Sequence, residues 1–218
     1  MCRMLAFKSN KNIDASWIFE ILRRMSRDGI NSPHGDGFGF AISGEDRLSF
    51  SSTGAIWESK YPIIESSLGI VHARKASPGY VVNPNHVHPF YGLVKGVDYA
   101  FCHNGTVYDF ASVQGTIDTQ RYCELVFSNL QRYSPGEALE TTTRFVASSF
   151  NYTSINALLT DYENIWAIRM NSEEADTAHG LFLYETDGLR IVASEPVEEF
   201  SNLPGSSVNM GNGELIKL

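Results

Sequence analysis

A chain of 218 residues with 43% hydrophobic and 12% aromatic content is long enough to bury a large core, and one domain spanning residues 1–218 is expected. Its formal net charge of −8, with 25 acidic against 17 basic residues and no basic run, argues against nucleic acid or an anionic membrane surface as partner. No apolar run approaches the roughly 20 residues that cross a bilayer, residues 1–10 lack the order of a signal peptide, and three cysteines without a close pair suit neither a metal knuckle nor a disulfide framework, so a cytoplasmic protein with at least one free thiol is expected.

Strand character appears first at Cys2 to Phe7. Trp17, Ile18, Ile21, Leu22 and Met25 then follow a helical period, with Asp14 as the candidate cap. Gly35-Asp36-Gly37-Phe38-Gly39 lacks a phosphate-loop lysine and the repeated acidic ligands of a calcium loop, and reads as a tight turn entering the strand Gly37 to Ile42. Strands follow at Leu68 to His72 and Val97 to Cys102, helices at Thr119 to Tyr133 and Glu137 to Phe150, and strands again at Ala157 to Thr160, Ile165 to Arg169, Leu181 to Tyr184 and Leu189 to Ala193. This order suits an α+β architecture of two antiparallel sheets with helices packed outside, better than alternating βα units. Cys102 and Cys123 fall in apolar patterns and read as core.

Chemistry begins at Cys2. Its small side chain permits removal of the initiator Met, after which one residue owns both a thiol and a free α-amine. The amine titrates near pH ~8 and the thiol near ~8.5, so the amine can take the thiol proton and later hand one to departing ammonia. An inert buried cysteine fits the same position taken alone. In LGIVHAR, residues 68–74, His72 and Arg74 stand two apart on one strand face, and an Arg at a strand's end can hold an α-carboxylate in a two-pronged pair. An ion-paired surface Arg fits that segment too. In VDYAFCHNG, residues 97–105, an apolar strand runs into Asn104-Gly105, a dipeptide of hairpin turns; the Asn104 amide and the Gly105 N–H are also suited to hold a developing oxyanion.

Met1-Cys2-Arg3, His72-Ala73-Arg74 with Ser77 and Gly79, His103-Asn104-Gly105 and Asp118-Thr119, in this order, resemble the signature of the class II glutamine amidotransferases, the glutaminase domains of glucosamine-6-phosphate synthase, amidophosphoribosyltransferase and glutamate synthase. The Gly35 to Gly39 stretch, His88-Pro89-Phe90 and Ala193-Ser194-Glu195-Pro196 are similar to segments of small stand-alone members, among them the γ-glutamyl amidohydrolase of ergothioneine synthesis. The resemblance extends over nearly the whole chain. It implies a four-layer αββα N-terminal-nucleophile fold with no cofactor or metal. Cys2 would be the nucleophile and its amine the base, Asn104 and Gly105 the oxyanion hole, Arg74 with Ser77 the carboxylate site, and Asp118 the partner of the substrate α-ammonium. Asp118 has a competing explanation as the N-cap of the helix near Thr119. Lys75, Ser77-Pro78 and Ile117-Asp118-Thr119-Gln120 depart from the commoner family residues. The implied substrate is glutamine or a γ-glutamyl small molecule. No ammonia-using synthase domain is expected within the chain, so a separate synthase subunit is a candidate partner.

Two rivals belong to other classes. His72, His86, His88 and His103 lie within one third of the chain and raise a metal-dependent hydrolase, although His86 and His88 would alternate across a strand and no His-Glu-x-x-His helix is present. A non-catalytic binding or regulatory module with the same fold is the other.

Overall fold

A computed structural model describes residues 2–60, 64–77, 82–110, 117–175 and 177–218. Seven strands, β1 (Arg3–Asp14), β2 (Phe38–Gly44), β3 (Arg47–Ser52), β4 (Glu65–Ala73), β9 (Phe182–Thr186), β10 (Leu189–Ala193) and β11 (Val208–Asn209), form one sheet in the order β11-β9-β10-β1-β4-β2-β3. Five others, β5 (Phe90–Val94), β6 (Val97–Val107), β7 (Tyr152–Thr160), β8 (Ile165–Ile168) and β12 (Leu215–Lys217), form a second in the order β12-β8-β7-β6-β5. Neighbouring strands in both sheets run antiparallel. The helices are α1 (Ser16–Asp28), α2 (Asp118–Asn129) and α3 (Pro135–Ser149).

Strand alternation builds the layers. In β1, Leu5 and Phe7 pack with Ile18, Phe19, Leu22 and Met25 of α1, while Met4 and Ala6 face the other way, toward Ala100, Cys102, Leu158 and Ala167 of the second sheet. In β6, Phe101 turns from that shared layer toward Tyr122, Val126 and Leu139 of α2 and α3. Many of the side chains between the sheets are small, Ala6, Ala41, Ala100 and Ala167 among them, which lets the two sheets pack closely. The result is the expected four-layer αββα sandwich, with α1 outside one sheet and α2 and α3 outside the other. No helix among the described residues is long and apolar enough to cross a membrane.

Some local expectations need correction. Asp14 is not the cap of α1: Ala15 holds that position, and Asp14 Oδ1 accepts from Ser16 N at 2.9 Å. Strands β3, β5, β11 and β12 were not expected. In β3 only Leu48 and Phe50 are apolar, and both are more than 40% exposed, so the strand has no buried face to imprint on its sequence. In β5, Gly92 breaks the apolar run where a Cβ would come 2.3 Å from the Phe127 ring.

The start of β1 is anchored by a buried ion pair. Arg3 Nε donates to Glu195 Oε1, Nη1 to the Cys2 carbonyl at 2.9 Å and Nη2 to the Ile30 carbonyl, while both Glu195 oxygens accept from Ile30 N at 3.1 and 3.2 Å. Arg3 and Glu195 are almost wholly buried. Ser194, beside Glu195, exchanges hydrogen bonds with the Met4 backbone at 2.9 and 3.0 Å. Removing one partner of such a pair strands the other charge in the core, so Glu195→Ala is expected to cost about 3–5 kcal/mol of stability in denaturant titration. Replacing both with apolar residues, as in Arg3→Met with Glu195→Leu, is expected to cost less than Glu195→Ala alone; a larger loss in the double variant would contradict this account.

Candidate active site

Four of the residues expected from the sequence, with Cys2, converge on one cleft of about 620 Å³: Cys2, Arg74, Ser77, Gly105 and Asp118 all line it. Asn104 sits buried behind Cys2, where its Oδ1 accepts from Cys2 N at 2.8 Å. That bond orients the amide, leaving Asn104 Nδ2 buried without a partner among the described residues. The Cys2 thiol donates to the Lys75 carbonyl, with Sγ and O 3.7 Å apart. Burial raises the thiol pKa, opposed by nearby positive charge, including Arg74, and by the backbone at Lys75. A thiol with a raised pKa is protonated at neutral pH and needs a base to react.

Asn104-Gly105 is not the hairpin turn its composition suggests. β6 runs through both residues to Val107, pairing Asn104 with Asn156 and Gly105 with Ile155 before the register shifts. The shift is a β-bulge whose extra residue lies in β7, and the glycine facing it is required by conformation and close approach: Gly105 has φ +145°, and a Cβ there would stand 1.7 Å from the Ser154 carbonyl oxygen. Beyond the bulge, Thr106 to Phe110 form a wall of the cleft. A glycine held at positive φ within a strand and a hairpin turn share the same dipeptide signal, and only pairing with β7, fifty residues away, separates them.

Arg74 follows β4 directly and is 5% exposed, with Nη1 buried and unpartnered among the described residues. Its backbone is clamped by the Gly35 to Gly39 stretch: Arg74 N donates to Gly37 O at 2.7 Å, Asp36 N to Arg74 O at 2.9 Å, and Ala76 N to Asp36 Oδ2 at 2.8 Å. Asp36 therefore holds the carboxylate-site candidate, a role missed when the stretch was read as a turn alone. Pro78 and Gly79 lie outside the described residues. Asp118 is the first residue of α2, with Ile117 at the cap position, so the N-cap reading is not what the structure shows. Its Oδ2 accepts from Val107 N at 2.8 Å and Oδ1 from Thr119 N at 2.9 Å, fixing the carboxylate in the cleft wall beyond the bulge.

The histidines form a buried group beside this cleft. His72 Nε2 and His88 Nδ1 are 2.8 Å apart, and His103 Nδ1 lies 2.9 Å from Thr119 Oγ1. His86 lies in a 3-10 turn, Pro84–His86, rather than a strand. No group of three or more His, Cys, Asp or Glu among the described residues is placed to hold a metal. Burial, reinforced by Arg74, lowers the His72 pKa to about 3, and burial lowers His34 to about 3 and His88 well below its usual range. All three are thus neutral in the fold and protonated below about pH 6.5 once unfolded. For His34 and His72 the contribution is complete above pH 6.5 and is lost as pH falls from 6.5 toward about 3, at about 1.4 kcal/mol per pH unit for each. Urea unfolding across that range should show His34→Gln flattening the slope by about one proton; an unchanged slope would mean His34 is charged in the fold.

A family model for class-II glutamine amidotransferases matches residues 1–176. The chain is 28% identical over 166 residues to "Putative glutamine amidotransferase YafJ" of Escherichia coli (strain K12), covering 68% of this chain and 63% of that protein. It is 30% identical over 182 residues to a Haemophilus influenzae protein of the same description, covering 72% and 60%. The chain therefore spans about three fifths of the length of these curated relatives. Among solved structures, the glutamine phosphoribosylpyrophosphate amidotransferase of B. subtilis superposes with a TM-score of 0.71 at 13% identity, over 99% of this chain and 47% of that one. A "predicted glutamine amidotransferase" from Pseudomonas aeruginosa superposes with a TM-score of 0.63 at 18% identity, over 99% and 96%. At these identities the structural likeness establishes the fold, that of the N-terminal-nucleophile hydrolases.

Proposed function

Because the chain belongs to the class II glutamine amidotransferases, we propose that Cys2, freed of Met1, attacks the side-chain amide of glutamine and yields ammonia and glutamate through a glutamyl thioester. The supporting observation is that two buried donors have no partner among the described residues: Arg74 Nη1, on a residue that lines the cleft with Cys2, and Nδ2 of Asn104, whose Oδ1 accepts from Cys2 N. Burial holds the thiol protonated, and the α-amine on the same residue is the base within reach. Sγ bonds to the amide carbon as its proton passes to the amine. The resulting oxyanion is met by Asn104 Nδ2 and the Gly105 N–H. Collapse expels ammonia, which takes the proton back. Water, deprotonated by the same amine, then cleaves the thioester and restores the thiol. Arg74, assisted by Ser77, holds the substrate α-carboxylate, and the Asp118 carboxylate receives the α-ammonium.

Cys2→Ala is expected to abolish turnover with the fold retained, and an uncleavable N-terminal tag should be equally inactivating because acylation removes the base. Full activity in the tagged protein would sink the mechanism. Asn104→Ala should lower kcat by roughly 10² to 10³, whereas Arg74→Ala should chiefly raise KM. An unchanged kcat in the first variant overturns the oxyanion assignment. Retention of Met1 in the mature mass, with Cys2 inert to a glutamine-like electrophile, would favour the binding-module reading instead.

A cleft of about 620 Å³ walled by Tyr108 and Phe110 has room beyond a glutamyl head, which favours a second reading, hydrolysis of an N-substituted γ-glutamyl amide. In the first reading ammonia passes to a separate synthase subunit; in the second, hydrolysis is itself the useful step. Competition between glutamine and a panel of such amides decides. A kcat/KM advantage above roughly tenfold for one amide, about 1.4 kcal/mol, assigns the second reading.

A further inference from the structure

A second polar cleft, of about 330 Å³, shares no lining residue with the one at Cys2. It draws on both sheets: Arg169 follows β8, Phe182 opens β9 and Asn209 closes β11, with Asn171, Ser172 and Asn212 completing the polar wall. It opens at the same end of the sandwich as Cys2. Asn171 bridges to Ser154, which lies beside Ile155, the partner of Gly105.

Two of its groups are unsatisfied in complementary senses. Asn171 is held on three sides: its N donates to Asn212 Oδ1 at 2.7 Å, its carbonyl accepts from Asn212 Nδ2 at 3.0 Å, and its own Nδ2 donates to His179 O at 2.8 Å. The last bond fixes which way the amide faces, leaving Oδ1 as a buried acceptor with no donor among the described residues. Asn171 is 8% exposed. Arg169 uses Nη1 on the Met210 carbonyl, while Nε is a buried donor with no acceptor among the described residues. Burial pulls its guanidinium pKa down with no carboxylate opposing it. Most buried polar atoms in folded proteins find partners, so a rigid acceptor and a buried guanidinium N–H left without partners among the described residues of one cleft point to a ligand.

A simple anion would satisfy Arg169 and leave Asn171 Oδ1 bare, and a simple ammonium would do the reverse. We propose that this cleft binds a small molecule joining a carboxylate to an N–H donor, the carboxylate against the Arg169 side edge and the N–H on Asn171 Oδ1. A free amino acid and the carboxyl-terminal residue of a peptide share this chemistry. The site stands independently of the reaction proposed at Cys2.

Amide resonances of Ser172, Asn209, Asn212 and the Asn171 side chain, followed by NMR in the full chain, report on the cleft. Saturable shifts are expected with glycine or N-acetylglycine at concentrations at least tenfold below those needed for acetate or methylammonium. Stronger binding of glycine identifies the free amino acid, and stronger binding of N-acetylglycine the peptide terminus. Arg169→Gln should remove the shifts, and Cys2→Ala should leave them. Absence of saturation at these four resonances, parity with acetate, or shifts confined to Thr106, Val107 and Thr119 of the Cys2 cleft would overturn the proposal. If Arg169→Gln does not fold, the comparison with acetate on the unaltered protein still decides.

Discussion

The buried pair of Arg3 and Glu195 fixes the backbone next to Cys2, the second residue of the sequence. One guanidinium reaches three elements at once: the Cys2 carbonyl, the Ile30 carbonyl beyond α1, and the carboxylate following β10. Taking both charges out of water is costly, and the cost is tolerable only because the remaining donors and acceptors are bonded, Ile30 N included. With Cys2 held from one sheet by Arg3 and from the other by Asn104, the two sheets meet at the candidate nucleophile.

Charge follows the same geometry around the cleft. Arg74 enters from the seven-stranded sheet and Asp118 from the helix packed on the other sheet, so cation and carboxylate stand in walls contributed by different layers. Beside them His72 and His88 are kept neutral by burial, His72 further by its neighbour Arg74. Asp36 keeps Arg74 in place through backbone contacts alone. A cleft whose polar groups are positioned but unpaired is preorganised, needing little rearrangement when a ligand of complementary charge arrives.

Much of the architecture was legible where one face of an element is buried. The 3–4 spacing of Ile18, Ile21, Leu22 and Met25 marks α1 because only one stripe of that helix meets the core, and β1, β4 and β6 stand out as continuous apolar runs because both faces of those strands are packed against different layers. Strand β3 offered no such signal, since Leu48 and Phe50 remain exposed, and β5 hid behind Gly92, whose reason is the Phe127 ring from a distant helix. Asn104-Gly105 misled because a turn and a strand position at positive φ both ask for glycine, and Asp118 because a carboxylate at the start of a helix suits the cap and the first turn alike.

By itself the sequence singled out the candidate residues, Cys2, Arg74, Asn104 and Asp118, and the two-sheet class of the fold, because residue type and short-range period are local properties of the chain. Only the tertiary structure decided that Cys2, Arg74 and Asp118 share one cleft with Asn104 bonded behind Cys2, that Asp36 clamps Arg74, that Glu195 pairs with Arg3 across nearly the whole chain, and that Arg169 and Asn171 line a second cleft. Those are contacts between strands far apart in sequence, and their register comes from the packing of whole faces, which no local pattern encodes.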